Sequence, residues 1–159
     1  MSPGSEDEPT PGYFRLFQGV DGCFVDIHET HGKLESRQNI PIALFLAARG
    51  EQVRLLTVLD LRNVKSPDAS RDGIEWEFKV PEGRTANAID RALRGANRQA
   101  ARVLIQVAEE FDCQLLEQAV HGRVRRVENI LEVAILIADA LHHFTREETL
   151  NNIFRGRMG

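Results

Sequence analysis

Cysteine is scarce in this sequence: Cys23 and Cys113 are the only two in 159 residues. Two thiols supply neither a disulfide framework nor a zinc site, and they read as ordinary reduced cysteines. Long hydrophobic runs are missing too. No stretch approaches the roughly 20 apolar residues that a membrane-spanning helix needs. The opening segment MSPGSEDEPTPG has neither the basic nor the apolar region of a signal peptide, so export would depend on a carrier. No internal repeat is visible. Nor is there an excess of positive charge: the formal net charge is −4, which counts against strong indiscriminate binding to nucleic acid.

What remains is an ordinary globular composition, of a length that suits one domain with a real core. Residues 1–12, rich in Pro, Gly, Ser and acids, are expected to form a disordered leader. Residues 13–150 then make a single domain, and 151–159 a tail. The two aromatic or branched runs around GVDG in 13–28 predict a hairpin. Residues 34–49 predict a helix that restarts near Pro41, with Asn39 as N-cap and Gly50 beyond its end. A strand pattern follows at 52–61, and 62–73 is polar and turn-forming. In IEWEFKV (74–80), Ile74, Trp76, Phe78 and Val80 fall on one face of a strand, and Glu75, Glu77 and Lys79 on the other. Residues 86–101 predict a helix with Ile89, Ala92, Leu93, Ala96 and Ala100 on its buried side. A short strand at 103–107 and a helix at 108–121 come next. The stretch 130–145 reads either as a buried helix or as two strands turning near Asp139. The fold class is therefore α/β (α+β), a central mixed sheet flanked by helices.

The middle of the chain carries the chemistry. Asp68 follows Pro67 at the end of a polar loop, and Glu77 and Lys79 leave the same face of one strand. Two carboxylates are hard oxygen ligands for Mg²⁺ or Mn²⁺, and an ammonium beside them can orient water or stabilise charge on a phosphate. Phosphodiester hydrolysis needs these parts. Alternating charges on a strand are also what a solvated face looks like, and Glu75 competes with Glu77 for the ligand role. Downstream, Arg84 to Arg102 contains five arginines and one acid, Asp90. Arg91, Arg94, Arg98 and Arg102 are spaced to form one helical stripe, suited to a phosphate backbone or simply to solvent. Arg123, Arg125 and Arg126 form a further basic cluster, read as a solvated loop. His142 and His143 are adjacent, and so diverge on either a helix or a strand.

These segments, in this order, resemble the PD-(D/E)xK nuclease superfamily. They look most like the C-terminal tRNase toxin domains of contact-dependent growth inhibition and related polymorphic toxin systems. The resemblance rests on LAARGEQVRLL (46–56), KSPDASRDGIEWEFKVPEGRTANAI (65–89) and ALRGANRQAARVLI (92–105), and covers about 34–107. It implies a restriction-endonuclease-like fold. Asp68, Glu77 and Lys79 take the core catalytic positions, with Asp68 and Glu77 as metal ligands. Glu35 stands for the acid on the first helix, with His28, Glu29 and His31 competing nearby. Gln99 joins Arg91, Arg94 and Arg98 as a substrate contact. The implied cofactor is a divalent ion, Mg²⁺ with Mn²⁺ or Zn²⁺ as alternatives. The implied substrate is RNA, tRNA being favoured over DNA. A cognate immunity protein follows from the toxin class, as does action in the bacterial cytoplasm after delivery by a larger carrier, or expression alone. The hairpin reading of 130–145 also agrees with this family. The competing functions are a DNA-cleaving enzyme, a non-catalytic nuclease-like binding module, and a housekeeping repair nuclease.

Overall fold

The computed structural model describes residues 9–32, 34–58, 67–96 and 100–151, with the side chains of Leu34, Glu35 and Ala96 outside that description. The expected leader thus lies mostly outside the described residues, as does nearly all of the expected tail. Among the described residues the chain forms eight strands and four α-helices, in the mixed α/β arrangement that the sequence pattern predicts. They belong to two compact units, Met1–Glu75 and Trp76–Gly159. No helix among the described residues is long and apolar enough to cross a membrane.

The first unit begins with an antiparallel hairpin of β1 (Tyr13–Gln18) and β2 (Phe24–His28), as expected from its two branched runs. Asp21 and Gly22 both take positive φ in the connecting turn. Phe24, Val25, Asp26 and Ile27 of β2 are all buried. The carboxylate of Asp26 survives burial because Arg15, across the hairpin, donates to both of its oxygens. A 3₁₀ turn, Leu34–Gln38, leads into α1 (Asn39–Ala48). Pro41 sits in the first turn of α1, where its missing N–H costs nothing. Gln38 rather than Asn39 is the N-cap. Asn39 is instead buried, its amide turned to His31. Gly50, at φ 103°, lies just past the end of α1. Then β3 (Gln52–Leu55) pairs in parallel with β2, and β4 (Ala69–Arg71) runs antiparallel to β3. Ile42, Leu46, Val53 and Leu55 are fully buried and form the heart of this unit.

Asp72 and Gly73, both at positive φ, turn the chain into β5 (Ile74–Lys79). The second unit repeats a strand–helix–strand logic: β5, α2 (Ala86–Ala96), β6 (Arg102–Val107), α3 (Cys113–Arg126) and β7 (Glu132–Ile137). β5, β6 and β7 are parallel neighbours. The stretch 130–145 resolves as a hairpin, with β8 (Ala140–Thr145) antiparallel to β7 around Ala138 and Asp139. Asp112 caps α3 by accepting from the N–H groups of Gln114 and Leu115. Thr145 and Glu148 close a capping box on the short α4 (Arg146–Leu150). Ile89 and Leu93 of α2 pack with Leu116, Val120 and Val124 of α3 onto Val103, Ile105, Val133 and Ile135.

Candidate active site

The register of β5 on β6 fixes where the sequence-predicted acid and lysine point. Glu77 pairs with Val103, Phe78 with Leu104 and Lys79 with Ile105. Partners in a parallel ladder present their side chains to the same side. Val103 and Ile105 belong to the core beneath α2 and α3. Glu77 and Lys79 therefore face the helix layer, while Trp76 and Phe78 face away from it. The alternative reading of the Glu77 and Lys79 face as a solvated one does not hold at Glu77. Trp76, Glu77 and Phe78 are all buried, and Glu77 is 0% exposed. Ile74 and Glu75 are exposed, which leaves Glu77 as the enclosed acid of this strand. Trp76 meets the edge of the His143 ring, with centroids 5.9 Å apart.

Lys79 is half-buried and runs beneath α2. Its Nζ lies 3.8 Å from the point that a Cβ on Gly95 would occupy. A side chain at position 95 would therefore come into van der Waals contact with the ammonium. Arg91 lies one turn before Gly95 on the same face of α2.

The arginine stripe takes a different form from the one its spacing predicts. α2 ends at Ala96, and Arg102 is the first residue of β6, where it pairs with Glu132 at 3.3 Å. Arg98 and Gln99 lie outside the described residues. Arg94 bonds Asp90 one turn back, at 2.8 Å. The same Asp90 accepts two further bonds from Arg123 of α3, at 2.7 and 2.8 Å. These bonds, Arg123 foremost, hold the Asp90 carboxyl down at about 2 and raise Arg123. Arg123 is therefore part of a clamp between α2 and α3 and not of a solvated loop. Arg125 and Arg126 likewise lie in the last turn of α3. Arg91 remains exposed.

Asp68 belongs to the first unit, just ahead of β4, and is half-buried. Its main-chain carbonyl accepts from the Leu56 N–H at 2.9 Å. The Leu56 carbonyl in turn accepts from His31 Nδ1 at 2.7 Å. His31 is 5% exposed. Burial pushes its pKa down, opposed by the bond to Leu56 and by the charge of Asp68. Glu35 falls on the 3₁₀ turn ahead of α1, with its side chain outside the described residues.

Among the described residues, no three His, Cys, Asp or Glu side chains gather closely enough to hold a metal ion between them. The two acids expected to hold an ion belong to different units, Asp68 to the first and Glu77 to the second. That donor set still suits Mg²⁺, which is commonly held by one or two carboxylates and keeps several waters.

Four features escaped the sequence. Gly95 reads there only as a weak point in a helix. The clamp on Asp90 needs the α2–α3 packing to be seen. His31 was noticed as a competing ligand, but its bond to Leu56 spans 25 positions. The fourth is an open cleft of about 370 Å³ at the carboxyl ends of β5 and β6, lined by Val80, Pro81, Arg84, Gln106 and Val107 among others. Strand ends of this kind are where α/β sheets bind ligands, but no motif marks this one.

Residues 65–139 match the family model described as the contact-dependent growth inhibition CdiA C-terminal domain. That span holds Asp68, Glu77, Lys79 and all of α2. The fold is similar to that of a chain in the CdiA-CT/CdiI toxin and immunity complex from Burkholderia pseudomallei. The TM-score is 0.51 at 13% identity, over 69% of this chain and 83% of that one. At that identity the likeness is one of fold. No curated protein matches the sequence.

Proposed function

We propose that this chain is the toxin domain of a contact-dependent growth inhibition system, and that it is a metal-dependent nuclease whose substrate is tRNA. The toxin class is supported by the family match over 65–139 and by the shared fold. The nuclease reading is carried by one observation: Glu77 is fully buried on the same strand face as Lys79. A solvated strand face does not bury its acid. Burying a carboxylate is costly, and such a cost is commonly met where a site uses the group.

Asp68 and Glu77 would hold the divalent ion, Mg²⁺ in the first instance with Mn²⁺ or Zn²⁺ as substitutes. When bound, the ion supplies Lewis-acid polarisation of the scissile phosphate. Lys79 offers an ammonium held in a half-buried setting. There it can orient the attacking water and meet the charge that develops on the phosphate oxygens. Because Lys79 faces α2, Arg91 on that helix is the described arginine best placed to touch a phosphate backbone without giving up an ion pair. Net charge of −4 leaves such contacts local, which favours a structured substrate gripped at a few phosphates. A cognate immunity protein would neutralise the domain in the producing cell, and a larger carrier would deliver it to the cytoplasm of a neighbour.

The test is a cleavage assay on purified protein, with total tRNA and plasmid DNA, each with and without Mg²⁺. The expected result is tRNA cleavage that requires Mg²⁺. Cleavage of plasmid alone would move the substrate to DNA. Cleavage of neither would remove the nuclease reading and leave a toxin of another chemistry.

A further inference from the structure

The segment that carries Asp68 is tied to a buried histidine through one peptide unit. Leu56, just beyond the last residue of β3, is bonded on both sides. Its N–H donates to the Asp68 carbonyl at 2.9 Å, and its carbonyl accepts from His31 Nδ1 at 2.7 Å. The imidazole is itself held. Asn39 Nδ2 donates to His31 Nε2 at 3.2 Å, and the His31 N–H donates to the His28 carbonyl at 2.9 Å. A carbonyl can only accept, so the bond to Leu56 puts a proton on Nδ1, and an Nε2 that accepts from the Asn39 amide makes the ring neutral. Burial, which lowers its pKa, favours the same state.

The turn that follows β2 grips the same stretch a second time. Thr30 Oγ1 accepts from the Val58 N–H at 2.9 Å and lies 3.3 Å from Thr57 Oγ1. The exit from β3 is thus pinned on both sides of Thr57, and the main chain of Asp68 hangs from the pinned part. A bare structural anchor would serve equally well with an apolar plug. What singles out His31 is that its bond ends on the peptide unit that holds Asp68, and that the Asp68 charge acts on its ring.

We infer that His31, its tautomer fixed by Asn39, is a positioning residue for Asp68, acting through the Leu56 peptide. The inference rests on the nuclease reading, in which Asp68 is a metal ligand. A ligand displaced by a fraction of an ångström weakens the site without touching substrate affinity, so the signature is a loss in kcat with KM unchanged.

The experiment compares His31→Leu, His31→Asn, His31→Gln and Asp68→Ala in the full chain. It reads kcat and KM on tRNA, Mn²⁺ binding to the RNA-free protein by calorimetry, and thermal melts. The Asn amide N–H falls near the Nδ1 position, and the Gln amide near Nε2. His31→Leu should lose about 10-fold or more in both kcat and Mn²⁺ affinity, with KM within about two-fold, the loss usual when a group that orients a metal ligand is removed. His31→Asn should restore both to within about three-fold, and His31→Gln should not. If His31→Leu fails to fold, the Asn and Gln pair decides. Equal behaviour of that pair, or a folded His31→Leu with wild-type kcat and Mn²⁺ affinity, overturns the inference. Full tRNA cleavage by Asp68→Ala overturns Asp68 as a metal ligand and this inference with it, whereas absence of cleavage by the wild type overturns the nuclease reading. An inactive Asp68→Ala beside a fully active His31→Leu overturns the inference alone.

Discussion

A lysine with a half-buried ammonium responds to small changes in what lies next to it. A Cβ at Gly95 would meet the Nζ of Lys79 at 3.8 Å, an ordinary contact. Gly95→Ala therefore costs nothing in contact and gains helix propensity, about 0.5–1 kcal/mol. Gly95→Glu keeps much of that gain but sets a carboxylate beside Lys79. We expect Gly95→Ala to melt higher with activity retained, and Gly95→Glu to lose about 10-fold or more in kcat without melting lower. Equal activities in the two variants would show that the ammonium has no part in catalysis. Trp76 lies on the other face of β5 and is 4% exposed. Trp76→Ala should cost about 3–5 kcal/mol in a denaturant titration, a loss of fold and not of chemistry.

At the scale of elements, strand β5 shows how far the sequence was legible. Its period-2 alternation located the strand and put Glu77 and Lys79 on one face. It also suggested that this face met water, because alternation normally separates core from solvent. A parallel strand under a helix layer is covered on both faces, and there the rule does not hold. The candidate residues were thus readable, and their burial was not. Helix α2 illustrates a second limit. Its apolar spacing places Ile89 and Leu93 correctly, but ANRQAA after Gly95 carries no strong stop signal, so the pattern runs on to 101 and its stripe takes in Arg102, whereas the helix spans Ala86–Ala96 and Arg102 opens β6. The hairpin at 130–145 went the other way. Periodicity left it open, and the resemblance chose correctly.

The clamp on α2 makes two predictions at this scale. The Asp90 carboxyl is held at about 2, against 3.8 for a free side chain, chiefly by Arg123 and then Arg94. A depressed carboxylate stabilises the fold above its unfolded pKa, and that contribution fades as pH falls from about 4 to about 2. With solvent screening around the pair, its size is on the order of 1 kcal/mol. Melting curves of wild type and Asp90→Asn should therefore differ at pH 6 and converge towards pH 2. A constant gap across that range would assign the loss to packing. For RNA binding, Arg91→Glu should weaken tRNA affinity about 3- to 10-fold and lower the salt slope by about 0.7–0.9. Arg102→Ala, which breaks a strand-to-strand pair with Glu132, should leave both unchanged. The measurement is a salt titration on a Lys79→Ala background that leaves the RNA intact.

For the whole molecule, the absence of excess positive charge sets the style of recognition. In the proposed function, a chain with net charge −4 would rely on a few placed cations and not on a basic surface. Fold class and the order of chemical groups could be read from the sequence because each is written locally, in alternation, in turns and in the PD…ExK spacing. The supports of the site could not. The Leu56 peptide, the His31 ring and the Asp90–Arg123 bonds all join residues distant in the chain. The most direct measurement of the account is the rate of tRNA cleavage, in Mg²⁺, by wild-type and Lys79→Ala protein. The account predicts a loss of about 1,000-fold or more in the variant, with melting temperatures within a few degrees of each other. Cleavage by Lys79→Ala at near the wild-type rate would contradict it.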